Sequence, residues 1–238
     1  LAELIATFGL EKGSDGLPIA EITTEANPDN VDLEYLAELK TAGFTRVSFG
    51  MQSAVESVLE TLDRSHTPER VPLVVEWAKQ VGLQTSVDLI YGAPGESIAD
   101  WQESIDAALS YQTDHISAYS LIVEPGTKLA RQIASGALEE PDEDEQATKY
   151  ELAEAAFADA GLSWYEVSNW STSEQTQSAH NLSYWQSKNW WGYGPGAHSH
   201  IGGVRWWNQK HPATYVAPLA KGISPALGRE TLDAKTQL

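Results

Sequence analysis

Polar side chains stand near the ends of four short apolar runs of the sequence. Glu25 lies in AEITTEANP (20–28), Gln52 in RVSFGMQS (46–53) and Asp88 in TSVDLIYGAPG (85–95). Tyr119 or Glu124 does the same for HISAYSLIVE (115–124), and Arg64 follows Gln52 in a loop that returns over the same end. Taken singly, each has an ordinary explanation: Glu25 could cap a helix, and Asp88 could be a paired core carboxylate. Taken together, two carboxylates and an amide accept bonds from hydroxyls and an ammonium, and a guanidinium forks onto a carboxylate. That set suits an amino-acid nucleoside. The loop YGAPGE (91–96) adds two glycines where backbone must pass close to a flat or crowded ligand.

A second concentration of chemistry spans 178–200, SAHNLSYWQSKNWWGYGPGAHSH, which holds three histidines, three tryptophans and two tyrosines. Seven of the nine tryptophans lie between Trp164 and Trp207. Rings in this number supply large buried area, with N–H and O–H groups seeking partners, and most of the tryptophans are read as packing. Trp206 and Trp207 are consecutive, so in a strand they face opposite ways. His198 and His200 share one side of a strand, but a closed metal site needs further ligands that the sequence does not offer.

The elements that must position these groups follow from periodicity. The four runs combine β-branched and aromatic residues and stop at Gly, Pro or Asn, as buried strands do. Helix-period segments follow from Val31, Pro68, Ser97 and Asp142, with Gly43, Gly82 and Gly161 placed to close helices in the left-handed conformation. Strand starts at 20, 46, 85 and 115 leave room for a crossover helix each time, so an α/β fold with a parallel sheet is expected. Ligands of such sheets sit at the carboxyl ends of the strands. After Gly161 the pattern changes, and WYEVSNW (164–170) reads as one strand opening a C-terminal extension.

The chain has 238 residues, 42% of them hydrophobic, with a formal charge of −19 and no cysteine. That length buries a sizeable core. The acidic surface repels a phosphate backbone, so nucleic acid is not an expected partner. The run EEPDEDE (139–145) reads as a solvated loop or helix start without function. No apolar stretch approaches a membrane span and no signal peptide is present, which points to the cytoplasm.

The motifs TTEANP, RVSFGMQS, LDRSH, SVDLIYGAPGES, HISAYSLIVEPGT, YEVSNW, AHNLSYW and GYGPGAHS resemble, in order and spacing, the oxygen-independent coproporphyrinogen III oxidase-like branch of the radical S-adenosyl-L-methionine (SAM) proteins. YEVSNW and AHNLSYW are more similar to the HemW-type haem chaperones of that branch than to the oxidases. The resemblance implies a partial TIM-like (β/α)6 barrel in 1–162, with the last four βα units present. It also implies the start of an α+β, HemW-like extension in 163–238. Residue by residue, it carries SAM contacts to Glu25, Gln52, Arg64 and Asp88, with Ile90 against the adenosyl group. The opening strand and the CxxxCxxC loop that holds a [4Fe-4S] cluster have no counterpart in these residues, and truncation is the expected reason.

By the same resemblance, His180 of HNLSYW would be an axial haem ligand, with Tyr184 and Trp185 as walls and Arg205 or Lys210 as a propionate partner. His198 and His200 are second choices as ligands. The implied function is haem binding and delivery to haem-accepting proteins. Membrane contact would come only through an acceptor, and a homodimer is possible. The alternative is decarboxylation of coproporphyrinogen III. Without the cluster segment these residues alone should be inactive.

Overall fold

The computed structural model describes residues 20–233 and, before them, Glu3, Thr7 and Phe8. Two compact units divide the chain, Leu1–Gln177 and Ser178–Leu238.

In chain order, the first unit contains β1 (Thr23–Ala26), α1 (Leu33–Ala42), β2 (Arg46–Gln52), α2 (Glu56–Thr61) and α3 (Arg70–Gln80). It continues with β3 (Gln84–Tyr91), α4 (Ile98–Ser110), β4 (His115–Ser120), α5 (Lys128–Ala134), α6 (Glu143–Asp159), β5 (Ser163–Glu166) and β6 (Asn169–Ser171). The sheet runs β1-β2-β3-β4-β6-β5, with β1 to β4 parallel and β6 and β5 antiparallel. The helix ends follow the sequence signals. Asp32 caps α1, Gly43 closes it at φ 104, and Ser97 with Asp100 forms a capping box on α4.

Register fixes two unlike faces. Glu25 pairs with Ser48, Ser48 with Ser86 and Ser86 with His115, so these side chains share one face. Phe49 beside Val87, and Val87 beside Ile116, occupy the other. That second face, continued by Trp170 opposite Ile116, is covered by α1, α3, α4 and α6 through Leu36, Val74, Ile105 and Phe157, all fully buried. Burial of each such side chain contributes about 1.5–3 kcal/mol. Trp101 and Trp170 keep their indole N–H groups bonded, to the Lys149 carbonyl (2.8 Å) and Glu154 Oε2 (2.5 Å).

Two sequence expectations are corrected. Residues 164–170 are not one strand but the hairpin β5–β6, because Ser168 turns at φ 78 and lets β6 pair antiparallel with β4. The sheet is therefore mixed rather than wholly parallel. The acidic run is exposed and opens a helix, as expected. Asp142 caps α6, and Glu145 accepts from Lys149 at 2.7 Å.

Lys149 itself is 1% exposed, and its three ammonium protons match three acceptors: Glu145 Oε1, the Glu96 carbonyl at 2.6 Å and Glu96 Oε2 at 3.0 Å. Glu96 Oε2 also accepts from the Gly92 amide at 2.6 Å, so α6 grips the loop that follows β3. Gln146, one turn earlier, donates to the Leu121 carbonyl at 3.1 Å beyond β4.

The second unit contains α7 (Ala179–Trp185), β7 (His198–Ile201), β8 (Val204–Asn208), α8 (Pro212–Leu219) and β9 (Ala226–Thr231). Its strands form an antiparallel sheet in the order β7-β8-β9.

Removing one partner of a buried pair strands the other charge, so Lys149→Ala should lose about 3–5 kcal/mol in urea unfolding. The double variant Lys149→Met/Glu96→Gln, which keeps an acceptor for Gly92 and leaves no orphan charge, should recover most of that loss.

Candidate functional site

Three of the sequence-predicted groups meet at the carboxyl end of the polar sheet face. Asp88 lies beside Gly50 on one side and Ser117 on the other, and Ser48 Oγ donates to Asp88 Oδ2 at 2.8 Å. Burial pushes the Asp88 carboxyl above its ordinary range. Bonds from Ser48 and Ser117 oppose that shift, and the negative charge of Glu25 adds to it. Among the described residues no ion pair reaches Glu25 or Asp88. Two neighbouring carboxylates without a protein cation suit a ligand that brings hydroxyls or an ammonium. Neither ordinary explanation holds: Asn27, not Glu25, caps the turn that follows, and Asp88 has no basic partner.

Gln52 reaches the same face through a backbone irregularity. Register slips between Gly50 and Gln52, and Gln52 itself adopts φ 64. Its side chain folds over Gly50, where a Cβ would fall 2.6 Å from Gln52 Nε2 and would displace that amide. His66 holds this end in place, with buried Nε2 bonded to the Met51 carbonyl at 2.9 Å. Sequence reasoning missed that role, although His66 closes the same LDRSH motif that supplied Arg64.

Arg64 and Ile90 line a cleft of about 530 Å³ with Leu62, Leu121, Leu129, Leu138, Thr127 and Gln132, while Lys128 at its edge pairs with Asp63 at 2.9 Å. Glu25, Gln52 and Asp88 do not line it. Ile90, two residues beyond Asp88 on the same face, joins the cleft to the carboxylate end. Tyr119 is paired with Ile90 and half-exposed, whereas Glu124 lies in the exposed loop past β4. Toward the opposite end of the same face, His115 binds the Ser86 and Tyr165 hydroxyls at 2.8 Å each. Burial, helped by the nearby Arg46, pushes His115 down to about 3, so it is neutral and structural.

In the second unit, exposed His180 and Tyr184 stand one turn apart on α7, with ring centroids 4.6 Å apart. The file of rings continues from Tyr184 to Trp190 at 4.7 Å and from Trp190 to His200 at 4.8 Å. Trp185 is 61% exposed. His198 stacks on Trp207, and Arg205 is tied to Glu230 at 2.5 Å rather than standing ready for a propionate. Lys210 is exposed. Among the described residues no group of three or more His, Asp or Glu could hold a metal ion. Residues 178–238 carry six Lys and Arg against two acids, a net of +4, while 1–177 carry nine against 32, a net of −23.

Residues 1–108 match the sequence model of the Radical SAM superfamily. The chain is 50% identical over 218 residues to the "Heme chaperone HemW" of Mycobacterium tuberculosis, covering 91% of this chain and 56% of that protein. Against the Bacillus subtilis protein of the same name it is 36% identical over 220 residues, covering 92% and 57%. It thus spans about half the length of the relatives it matches. A solved structure of coproporphyrinogen III oxidase (HemN) from Escherichia coli, described as a radical SAM enzyme, superposes with TM-score 0.76 at 21% identity, covering 90% of this chain and 52% of that one. That likeness supports the α/β fold with its mixed sheet.

The Asp88 carboxyl yields a stability test. A raised folded-state value means the folded chain holds the proton more tightly than the unfolded chain. The carboxyl's contribution is therefore fully present below its ordinary value of 3.8 and lost as pH rises through the folded value. Asp88→Asn, which still accepts from Ser48, should be more stable than wild type in urea at neutral pH. That advantage should shrink as the pH is lowered toward 4.

Proposed function

The chain is a homologue of the HemW haem chaperones and carries a radical SAM match, and we propose that it belongs to a haem-binding protein that delivers haem to acceptors and holds SAM in its first unit. The observation that carries this reading is 50% identity over 91% of the chain to a protein named for haem chaperoning. The 21% identity to the oxidase structure speaks for shared fold alone and lends the decarboxylation reading no separate support.

The residues at the carboxylate end fit SAM. Glu25 and Asp88 accept from ribose hydroxyls or the ammonium, Gln52 adds an amide, and Arg64 presents a fork to the carboxylate. Ile90 gives the adenosyl group an apolar surface. A [4Fe-4S] cluster does not fit the residues present, because thiolates hold such clusters and this chain has no cysteine. We infer that the sheet corresponds to the last four units of a (β/α)6 barrel with its polar face inward. Residues 163–238 would then begin the HemW-like extension, while the compact units part at Gln177.

Haem is the cargo. A porphyrin needs flat apolar walls, an axial nitrogen and cations for its propionates. Exposed His180 offers the nitrogen, Tyr184 and Trp185 the walls, and the net positive charge of 178–238 suits the anionic edge. Among the described residues no helix is long and apolar enough to cross a membrane. A cytoplasmic location and transfer by contact with acceptor proteins complete the proposal.

Titration of the full chain with haemin should shift the Soret band and saturate, and His180→Ala should weaken binding and alter the spectrum. A wild-type chain that leaves the haemin spectrum unchanged would overturn the chaperone reading.

A further inference from the structure

We propose that His200 is a second haem-iron ligand, used in turn with His180; the idea rests on the haem-binding reading above. Among the described residues four buried side-chain polar atoms have no hydrogen-bond partner: Arg46 Nε, Glu96 Oε1, Asn169 Oδ1 and His200 Nε2. Only the last is a nitrogen that can offer a lone pair. Its tautomer follows from its other nitrogen. His200 Nδ1 faces the Lys188 carbonyl at 3.2 Å, and a carbonyl can only accept, so Nδ1 carries the proton and Nε2 is left basic. Metal-ligating imidazoles are oriented in this way, with one N–H held by a backbone carbonyl and the opposite nitrogen free for the metal. A buried acceptor without a donor is unfavourable, and the described residues supply none.

The surroundings say which metal chemistry this nitrogen suits. Among the described residues no three-ligand cluster could complete a protein-only site, whereas haem iron needs a single protein nitrogen and brings the rest of its coordination with it. Trp190 covers the imidazole with its ring 4.8 Å away, and the two residues exchange backbone hydrogen bonds of 2.9 and 3.0 Å. The backbone beside β7 is thus fixed, and the proposal requires the Trp190 indole to move aside to open Nε2 to the iron.

His180 and His200 stand at opposite ends of the file His180, Tyr184, Trp190, His200, with two rings between them. One iron cannot be bonded to both in this arrangement. His180 is exposed and takes an arriving haem at the surface, whereas His200 is 5% exposed and holds it once Trp190 has moved. The exchange replaces one imidazole nitrogen by another, and the iron keeps its oxidation state. A carrier gains two states by it, one from which haem leaves readily and one from which it does not.

The test adds haemin to the full-length chain and reads imidazole ligation by electron paramagnetic resonance and the Soret band. His180→Ala, a change at an exposed position, should weaken capture yet leave an imidazole-bound population. His180→Ala/His198→Ala should retain that population, and His180→Ala/His200→Phe, which keeps a ring in place, should lose it. Complete loss of imidazole ligation in His180→Ala alone overturns the proposal without touching the haem-binding reading, and needs no change at a buried site. Its persistence in His180→Ala/His200→Phe, with folding checked by thermal melting, overturns it as well. Absence of haemin binding by wild type defeats the haem-binding reading itself.

Discussion

Side-chain alternation along four parallel strands is the constraint on which the first unit depends. Parallel sheets are usually apolar on both faces because helices cover both. Here β2 and β3 put Val47, Phe49, Met51, Val87 and Leu89 on one side and Ser48, Gly50, Ser86 and Asp88 on the other. Helices can pack only on the first side without stranding polar groups. The second side has to satisfy its own members, and it does so unevenly. His115 is paired to two hydroxyls, and Arg46 donates to backbone carbonyls at Thr176 and Gln177. At the carboxyl end, partly buried Asp88 is held by serine hydroxyls beside the exposed Glu25 carboxylate, and among the described residues no cation pairs with either, which is the feature the proposed SAM site rests on.

The carboxyl end is also where the fold invests in rigidity. Lys149 and Gln146 on α6 reach the segments after β3 and β4, and His66 reaches the end of β2. These three contacts fix the loop ends that bear Ile90, Leu121 and Gln52. A buried ion pair adds little net stability compared with an apolar replacement, but it permits one geometry and forbids others. Lys149 spends all three protons on the Glu145 carboxylate and two oxygens of Glu96, so the Gly92–Glu96 loop has one place to sit.

Much of this organisation is legible in the sequence because it is local. The alternation, the αL glycine at Gly43 and the capping residues Asp32, Ser97 and Asp142 are all written within a few positions of the elements they define. Glu25 and Asp88 could be set near the ends of their strands from the sequence, whereas the irregularity that turns Gln52 onto their face could not be read there. What could not be read depends on partners far along the chain or on a single backbone angle. Lys149 and Glu96 are 53 positions apart, and nothing near Lys149 marks it as buried. The turn at Ser168 splits an apolar aromatic run that otherwise looks like one strand. His198 and His200 appear equivalent in HSH, yet β7 leaves the first exposed against Trp207 and buries the second under Trp190.

Charge separates the two units as sharply as packing does. With −23 on residues 1–177 and +4 on 178–238, an anionic porphyrin is repelled by most of the molecule and attracted by the part that carries the ring file. SAM carries a sulfonium and an ammonium, so the acidic excess of the first unit, unfavourable to an anionic porphyrin, is compatible with the SAM site proposed there. Under the proposed function each ligand would be steered by the charge of the residues that receive it, and screening limits such steering to about 8 Å at physiological salt. Inside that range the decision passes to short-range groups. In the proposed reading the Glu25 and Asp88 carboxylates would receive the cation, and the imidazoles and indoles around α7 the disc.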